Sequence, residues 1–244
     1  MKKIIITLLI SLSLITSASA LTTLAAQEKL KASFAATKFT NFTESKIKSW
    51  FEVEIANQVV YFWPKQELLF FGEIYNKNGE NLSISTKTKF AKKRISKLNA
   101  SSEINSAIKI GDGPVEITEF IDTDCPYCIL MNKFMNKHKD LFTRNIIFFP
   151  ITELHPVAYK EAIHILCLDN ENQAQALTDA MDSKIASKDM ITCAKGQEIL
   201  KQHAKISKEF GVSATPTFIL NGNVLQGFQE EKIKSILEKA GFWL

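Results

Sequence analysis

Glu119-Phe-Ile-Asp-Thr-Asp-Cys125-Pro126-Tyr127-Cys128-Ile-Leu-Met-Asn-Lys133 is the stretch that decides how the rest of the chain is read. An apolar run from Val115 reads as a strand and breaks at Asp122-Thr-Asp124. Two cysteines follow, and then Ile129, Leu130, Phe134 and Met135 recur at helical spacing. Cys125 therefore stands where a strand ends and a helix begins. The unpaired N–H groups and the dipole of a helix start favour negative charge there, here a thiolate. Such a setting lowers a cysteine pKa from about 8.5 into the range of about 3.5–7.5. The second cysteine lies beneath the first, within reach, and that spacing suits thiol–disulfide exchange. A zinc half-site or an inert bridge would use the same spacing. Zinc, however, wants a second such pair or paired histidines, and Cys167 and Cys193 stand far apart with no histidine pair beside either. No metal is expected, and no cofactor.

Outward from this motif, the chain of 244 residues suits one large domain or two modest ones. Hydrophobic residues make up 45% and charged residues 23%, ordinary values for a globular protein. The net charge of +4 is scattered, with no basic block interleaved with aromatics, so no nucleic-acid partner is expected. Lys2 and Lys3, an apolar run from Ile4 to Thr16 and Ala18-Ser19-Ala20 read as a cleavable leader over residues 1–20 rather than an uncleaved anchor. The run is too short for a spanning helix, and no later run would span a bilayer. The basic start and short apolar core look bacterial, so the mature chain is expected to be soluble and periplasmic, where disulfides persist.

From Leu21 the spacing of Leu24, Leu30 and Phe34 predicts a helix ending near Thr40-Asn41. Strands follow over Phe51–Ile55, Val59–Trp63 and Glu67–Tyr75. Their dense aromatics either fill a small core or turn part of one face toward a second copy or an unfolded client. Residues 83–112 are polar and lysine-rich and read as a linker helix stopped by Gly111-Asp-Gly113-Pro114. The domain boundaries are thus 21–82, 83–112 and 113–244.

Beyond Gly113 come the Val115 strand, the cysteine helix and a strand over Asn145–Phe149. Helices are expected from Pro156 to about Asp169, over Asn172–Lys184 and over Gly196–Phe210, the last capped by Gly211. A strand to Leu220, a strand to Phe228 and a helix ending near Gly241 complete an α/β layout around a mixed sheet. Cys167 and Cys193 read as a structural disulfide across the helical insertion, against a second reactive pair. Closing some 25 residues would stabilise by about 3 kcal/mol.

Val115, Ile117, Glu119 and Ile121 share one face of a central strand. Burial of Glu119 would disfavour its charged form and suit it to pass a proton from Cys128; the alternative is a carboxylate at the sheet margin, wetted or paired with a lysine. On pattern alone Thr215-Pro216 is an ordinary trans peptide at a strand start. His138, His155, His164 and His203 read as surface or boundary residues rather than ligands.

The Cys-Pro-Tyr-Cys helix start, Thr215-Pro216 before the last hairpin and the separate front domain together resemble the DsbC/DsbG family of periplasmic disulfide isomerases. The likeness covers the mature chain and is sharpest from Ile117 to Phe228. It implies a thioredoxin-like domain with a helical insertion, preceded by a small α+β, cystatin-like dimerisation domain and a linker helix. It also implies a V-shaped homodimer joined through residues 21–82, an uncharged cleft for unfolded or misoxidised secreted proteins, and a membrane-bound, DsbD-like thiol reductase. Cys125 would be the nucleophile and Cys128 the resolving thiol. Pro126 and Tyr127 would lie against substrate, Pro216 would be cis beside Cys125, and Thr215 would contact substrate backbone. Two departures stand out. Pro126-Tyr127 looks like the DsbG branch, which opens a reductase of sulfenylated cysteines as an alternative. Glu119 falls where thioredoxins and DsbA-like oxidants carry an acid, which opens a thiol oxidant as another. A dimeric holdase is the alternative that is not an enzyme.

Overall fold

A computed structural model describes residues 22–56, 58–100 and 102–244, and the side chains of 99–103 are left aside. The leader over residues 1–20 and Leu21 lie outside the described residues. The chain forms two compact units, one from residues up to 55 together with 60–72, the other from 56–59 and 73–244.

In the first unit α1 (Thr23–Ser33) starts on Thr22, whose hydroxyl accepts the Ala25 N–H. It ends seven residues before the expected Thr40, because β1 (Phe39–Glu44) pairs antiparallel with β2 (Phe51–Ile55). Phe39 and Phe42, three apart, mimic helical spacing in what is a strand. The sheet order is β1, β2, β3 (Gln58–Trp63), β4 (Leu68–Phe71). Ala26 and Leu30 of α1 pack on Phe51, Val53 and Phe62. β4 is an edge strand, and its Leu68, Phe70 and Phe71 are exposed.

The second unit begins with α2 (Ser83–Ala100), and its sheet runs β5 (Ile108–Ile110), β7 (Phe142–Phe148), β6 (Val115–Ile121), β8 (Thr217–Leu220), β9 (Asn223–Gln226). Only β6 and β7 are parallel; β5–β7, β6–β8 and β8–β9 are antiparallel. The segment expected to be a linker helix is built into this unit. Leu98 of α2 joins Phe120, Ile147, Ile206 and Phe210 in one apolar cluster, and β5 extends the sheet. A three-residue strand and a helix with few apolar positions carry too weak a pattern to be read as core. Gly113 is where β6 approaches the turn before β7: a Cβ there would lie 2.2 Å from the Leu141 carbonyl carbon.

α3 (Pro126–Lys137) and α7 (Glu230–Lys239) cover one face, where Met131, Phe134 and Met135 meet Ile117, Phe142, Phe218 and Ile233. α6 (Ala194–Phe210) lies on the other face, ending at Gly211 in the left-handed region (φ 81°). α4 (Ala158–Cys167), α5 (Asn170–Met181) and α6 surround a third cluster holding Ile121, Cys125, Cys128, Phe148, Ala162 and Leu166. The redox motif is thus wedged between the end of the central strand and the helical insertion.

Candidate redox site

Where β6 runs out, Asp122 folds the chain into a turn. Its Oδ1 accepts the Asp124 N–H at 2.9 Å and its carbonyl accepts the Cys125 N–H at 3.2 Å. Such side-chain bonds are why Asp favours turns over strands. Cys125 is the N-cap of α3 and Pro126 its first residue, a position where the missing N–H costs nothing. The N–H groups of Tyr127 and Cys128 are consequently free to serve the Cys125 sulfur.

The sulfur is held as thiolate near neutrality, with a pKa lowered to about 5. The largest cause is the hydrogen bond donated by the Cys128 thiol. Burial opposes it, and the Thr215 hydroxyl and the two backbone N–H groups add to the lowering. Cys128 goes the other way: burial first, and then the hydrogen bond and charge of Cys125, push its pKa far up and keep it a thiol. Cys125 keeps 7% of its surface and Cys128 1%. The second cysteine is the deeper of the two, but the first, expected to stay exposed, is itself buried. The cover comes from the loop opposite, where the Thr215 carbonyl oxygen lies 3.4 Å from Cys125 Sγ.

That loop turns on a cis Thr215–Pro216 bond, against the trans bond that pattern alone predicts and in line with the resemblance. It is pinned at both ends: the Thr217 hydroxyl donates to the Ala214 carbonyl at 2.7 Å, and the Gly227 N–H donates to the Pro216 carbonyl at 2.8 Å. Pro126 and Tyr127 are exposed beside the cysteines. Cys167 and Cys193 form a disulfide joining the end of α4 to the N-cap of α6, with a Cα–Cα distance of 5.8 Å. Gly196 makes room for it, since a Cβ there would stand 2.7 Å from Cys167 Sγ.

Glu119 needs correction. It is fully buried, but both carboxylate oxygens accept hydrogen bonds from Arg144, at 2.6 Å from Nε and 2.8 Å from the second guanidinium nitrogen. The third nitrogen donates to Asn132 Oδ1 at 2.8 Å. Asn132 is one helical turn past Cys128, so this group ties the active-site helix to β6 and β7. With its oxygens committed to a guanidinium that does not deprotonate, Glu119 anchors α3 rather than passing a proton.

Sequence reasoning did not single out Thr123 or Glu161, and it read His155 as a surface or boundary residue rather than as part of the site. His155 sits at the site, with Nδ1 2.9 Å from Asp122 Oδ2. Thr123 and Glu161 are buried at the turn, and Thr123 Oγ1 and Glu161 Oε2 make no well-formed hydrogen bond. Burial first, and then the charges of Asp124 and Asp122, push the Glu161 carboxyl above its ordinary pKa. Glu161 falls on the apolar face of α4, and a polar residue on that face was the available signal. Among the described residues no three His, Cys, Asp or Glu side chains are gathered to hold a metal ion.

Residues 107–241 match the family model of the thioredoxin-like domain, and residues 17–83 match that of the disulfide bond isomerase protein N-terminal domain. The thiol:disulfide interchange protein DsbC of Pasteurella multocida (strain Pm70) is 27% identical over 114 residues, 46% of this chain. The match spans 47% of the length of that curated relative. Among solved structures, the thiol-disulfide exchange protein alpha-DsbA2 from Wolbachia pipientis is 16% identical with a TM-score of 0.51, over 63% of this chain and 98% of that one. A disulfide interchange protein from Neisseria gonorrhoeae is 26% identical with a TM-score of 0.48, over 57% of this chain and 98% of that one. The chain belongs to the thioredoxin-like domain family, and carries ahead of that domain the N-terminal domain of disulfide bond isomerases.

Proposed function

We propose that this protein is a periplasmic thiol–disulfide isomerase and reductase that corrects wrong disulfides in exported proteins. The observation that carries the reading is the placement of the two sulfurs, Cys125 at the N-cap of α3 where backbone N–H groups favour a thiolate and Cys128 buried beneath it as a thiol. Cys125 attacks one sulfur of a substrate disulfide. The new S–S bond forms as the old one breaks, and the other substrate sulfur leaves as a thiolate that takes up a proton. Two exits follow. Another substrate thiolate displaces Cys125, giving a rearranged substrate with no net change in electrons. Alternatively Cys128 loses its proton and attacks Cys125 Sγ, so two electrons pass to the substrate and the Cys125–Cys128 disulfide forms. An external dithiol of the membrane-bound reductase class then has to reset the pair.

Burial opposes ionisation of Cys128, and Glu119, committed to Arg144, is no base for it. The second exit is therefore slow, which gives the mixed disulfide time to rearrange. The exposed apolar residues Tyr127, Leu130 and Leu154 suit an unfolded client. The first unit would join two copies, since the open edge of β4 with Phe70 and Phe71 is a surface that a second strand would cover. In the refolding of scrambled ribonuclease, wild type should restore activity and Cys125→Ala should not. Failure of wild type, or equal recovery with Cys125→Ala, would overturn the reading, the latter in favour of a holdase.

A further inference from the structure

His155 lies thirty residues beyond Cys125, in the loop between β7 and α4, and nothing in the exchange described above uses it. Asp122 links the two. Its buried carboxylate gives Oδ2 to His155 Nδ1 at 2.9 Å and to the Ile151 N–H at 2.7 Å, while Oδ1 accepts the Asp124 N–H at 2.9 Å. Its carbonyl holds the Cys125 N–H. A backbone bond from the His155 N–H to the Ile151 carbonyl, 2.9 Å, closes the histidine loop on the same anchor. One carboxylate therefore fixes both the turn that aims the cysteine and the loop that carries the imidazole. With Nδ1 given to Asp122, Nε2 is the remaining donor of the ring.

We propose that His155, oriented by Asp122, is a positioning residue of the redox site whose imidazolium is the counter-charge of the Cys125 thiolate, and that it loses this partner when Cys125 enters a mixed disulfide. The proposal rests on the reading of Cys125 as nucleophile. The charged and titratable groups around the ring are Asp122 and Asp124 from the turn, Cys125 at the head of α3, and Glu161, which meets the same two aspartates from α4. Burial pulls the His155 pKa down. The hydrogen bond and charge of Asp122, the Cys125 thiolate and Asp124 together outweigh it, so the net direction is up. Of these charges, only that of Cys125 disappears during exchange. The ring should then be a weaker base in the mixed disulfide than in the reduced protein.

Cys128, Thr215 and the backbone N–H groups set the Cys125 pKa, and His155 is not among these causes; a charge acting through space from His155, as proposed, adds a smaller effect to these hydrogen bonds. Full-length reduced protein is titrated by thiolate absorbance and by iodoacetamide alkylation against pH. His155→Gln should raise the Cys125 pKa by about half a unit and slow alkylation near pH 5 by about twofold. His155→Lys, which restores the positive charge, should bring the curve back. In wild type, ring NMR should show the His155 pKa falling when Cys125 is capped with glutathione. Superimposable thiolate curves for wild type and His155→Gln, or a histidine titration indifferent to capping, would overturn the proposal; the capping arm needs no variant to fold. None of these readouts requires a client. A protein that shows them but fails on scrambled ribonuclease loses the proposed activity and keeps the histidine, and the reverse result separates the two the other way.

Discussion

Two neighbourhoods of β6 and its continuation, three residues apart, are wired in opposite ways. At Glu119 every charged atom is closed on a partner: two oxygens on Arg144, and the remaining guanidinium nitrogen on Asn132. From Asp122 onward the site is less tightly closed, with Thr123 Oγ1 and Glu161 Oε2 buried and without a well-formed hydrogen bond. Buried polar atoms without well-formed hydrogen bonds cost stability, and two of them lie beside the turn that carries the sulfurs. The closed network holds the active-site helix; the open one is what the helix presents.

The sharpest way to break the contrast is inside the open network. Cys128→Ala removes the donor that does most to lower the Cys125 pKa. The thiolate titration should then move up by more than about one unit, and alkylation near pH 5 should fall about tenfold. The adduct with glutathione should also accumulate, because no thiol in the chain resolves it. A Cys125 titration unmoved by Cys128→Ala would leave the helix start alone to account for the thiolate. In the closed network the large effect is on stability. Arg144→Met strands a buried carboxylate and should cost about 3–5 kcal/mol in urea unfolding. Glu119→Leu with Arg144→Met should recover most of it. Recovery would identify the pair as a scaffold; loss of exchange in the stable double variant, at unchanged Cys125 titration, would return Glu119 to the chemistry. The Cys167–Cys193 bridge ranks next. Replacing both by alanine should cost about 3 kcal/mol of stability while leaving the Cys125 pKa in place.

The open site was legible at its centre and illegible at its rim. Cys125, Cys128 and Pro126 announce a helix start by spacing alone, and the helices α4, α5 and α6 follow their apolar periods within a few residues. Thr215-Pro216 was readable as a strand start, but its cis bond came from family likeness, since an X–Pro dipeptide carries no local sign of its isomer. His155, read as a surface or boundary residue, and Glu161 were not placed at the site because Asp122 and Thr123 lie far along the chain from them, and no pattern within one element reports a contact between elements. Glu119 was noticed for the right reason and given the wrong partner, because Arg144 faces it from the neighbouring parallel strand. β1 and β5 were lost for want of length or alternation.

His203 extends the closed side of the comparison to the far face of the sheet, where its effect is the smallest of those considered. Fully buried on α6, it accepts the Phe148 N–H on Nδ1 at 3.0 Å and reaches the Ser106 carbonyl through Nε2 at 2.9 Å. A ring that accepts on one nitrogen and donates from the other is neutral. Burial lowers its pKa to about 4, against a smaller opposing pull from Ser106. The unfolded chain takes up a proton here near pH 6.5, while the folded chain resists until about pH 4. Between those values the unfolded state binds more protons, so stability falls as pH falls, and no further loss comes from this group below about pH 4. From pH 7 to pH 5 the loss from this ring should be about 2 kcal/mol. His155, whose pKa is raised, acts with the opposite sign in the same window, so the measurement compares pH-dependent urea midpoints of wild type and His203→Gln. Glutamine does not titrate, and it keeps an acceptor for Phe148 and a donor for Ser106. The variant should start lower at pH 7 and lose about 2 kcal/mol less on acidification; equal slopes would mean that the ring is not held neutral, and that the far face is as open as the redox loop.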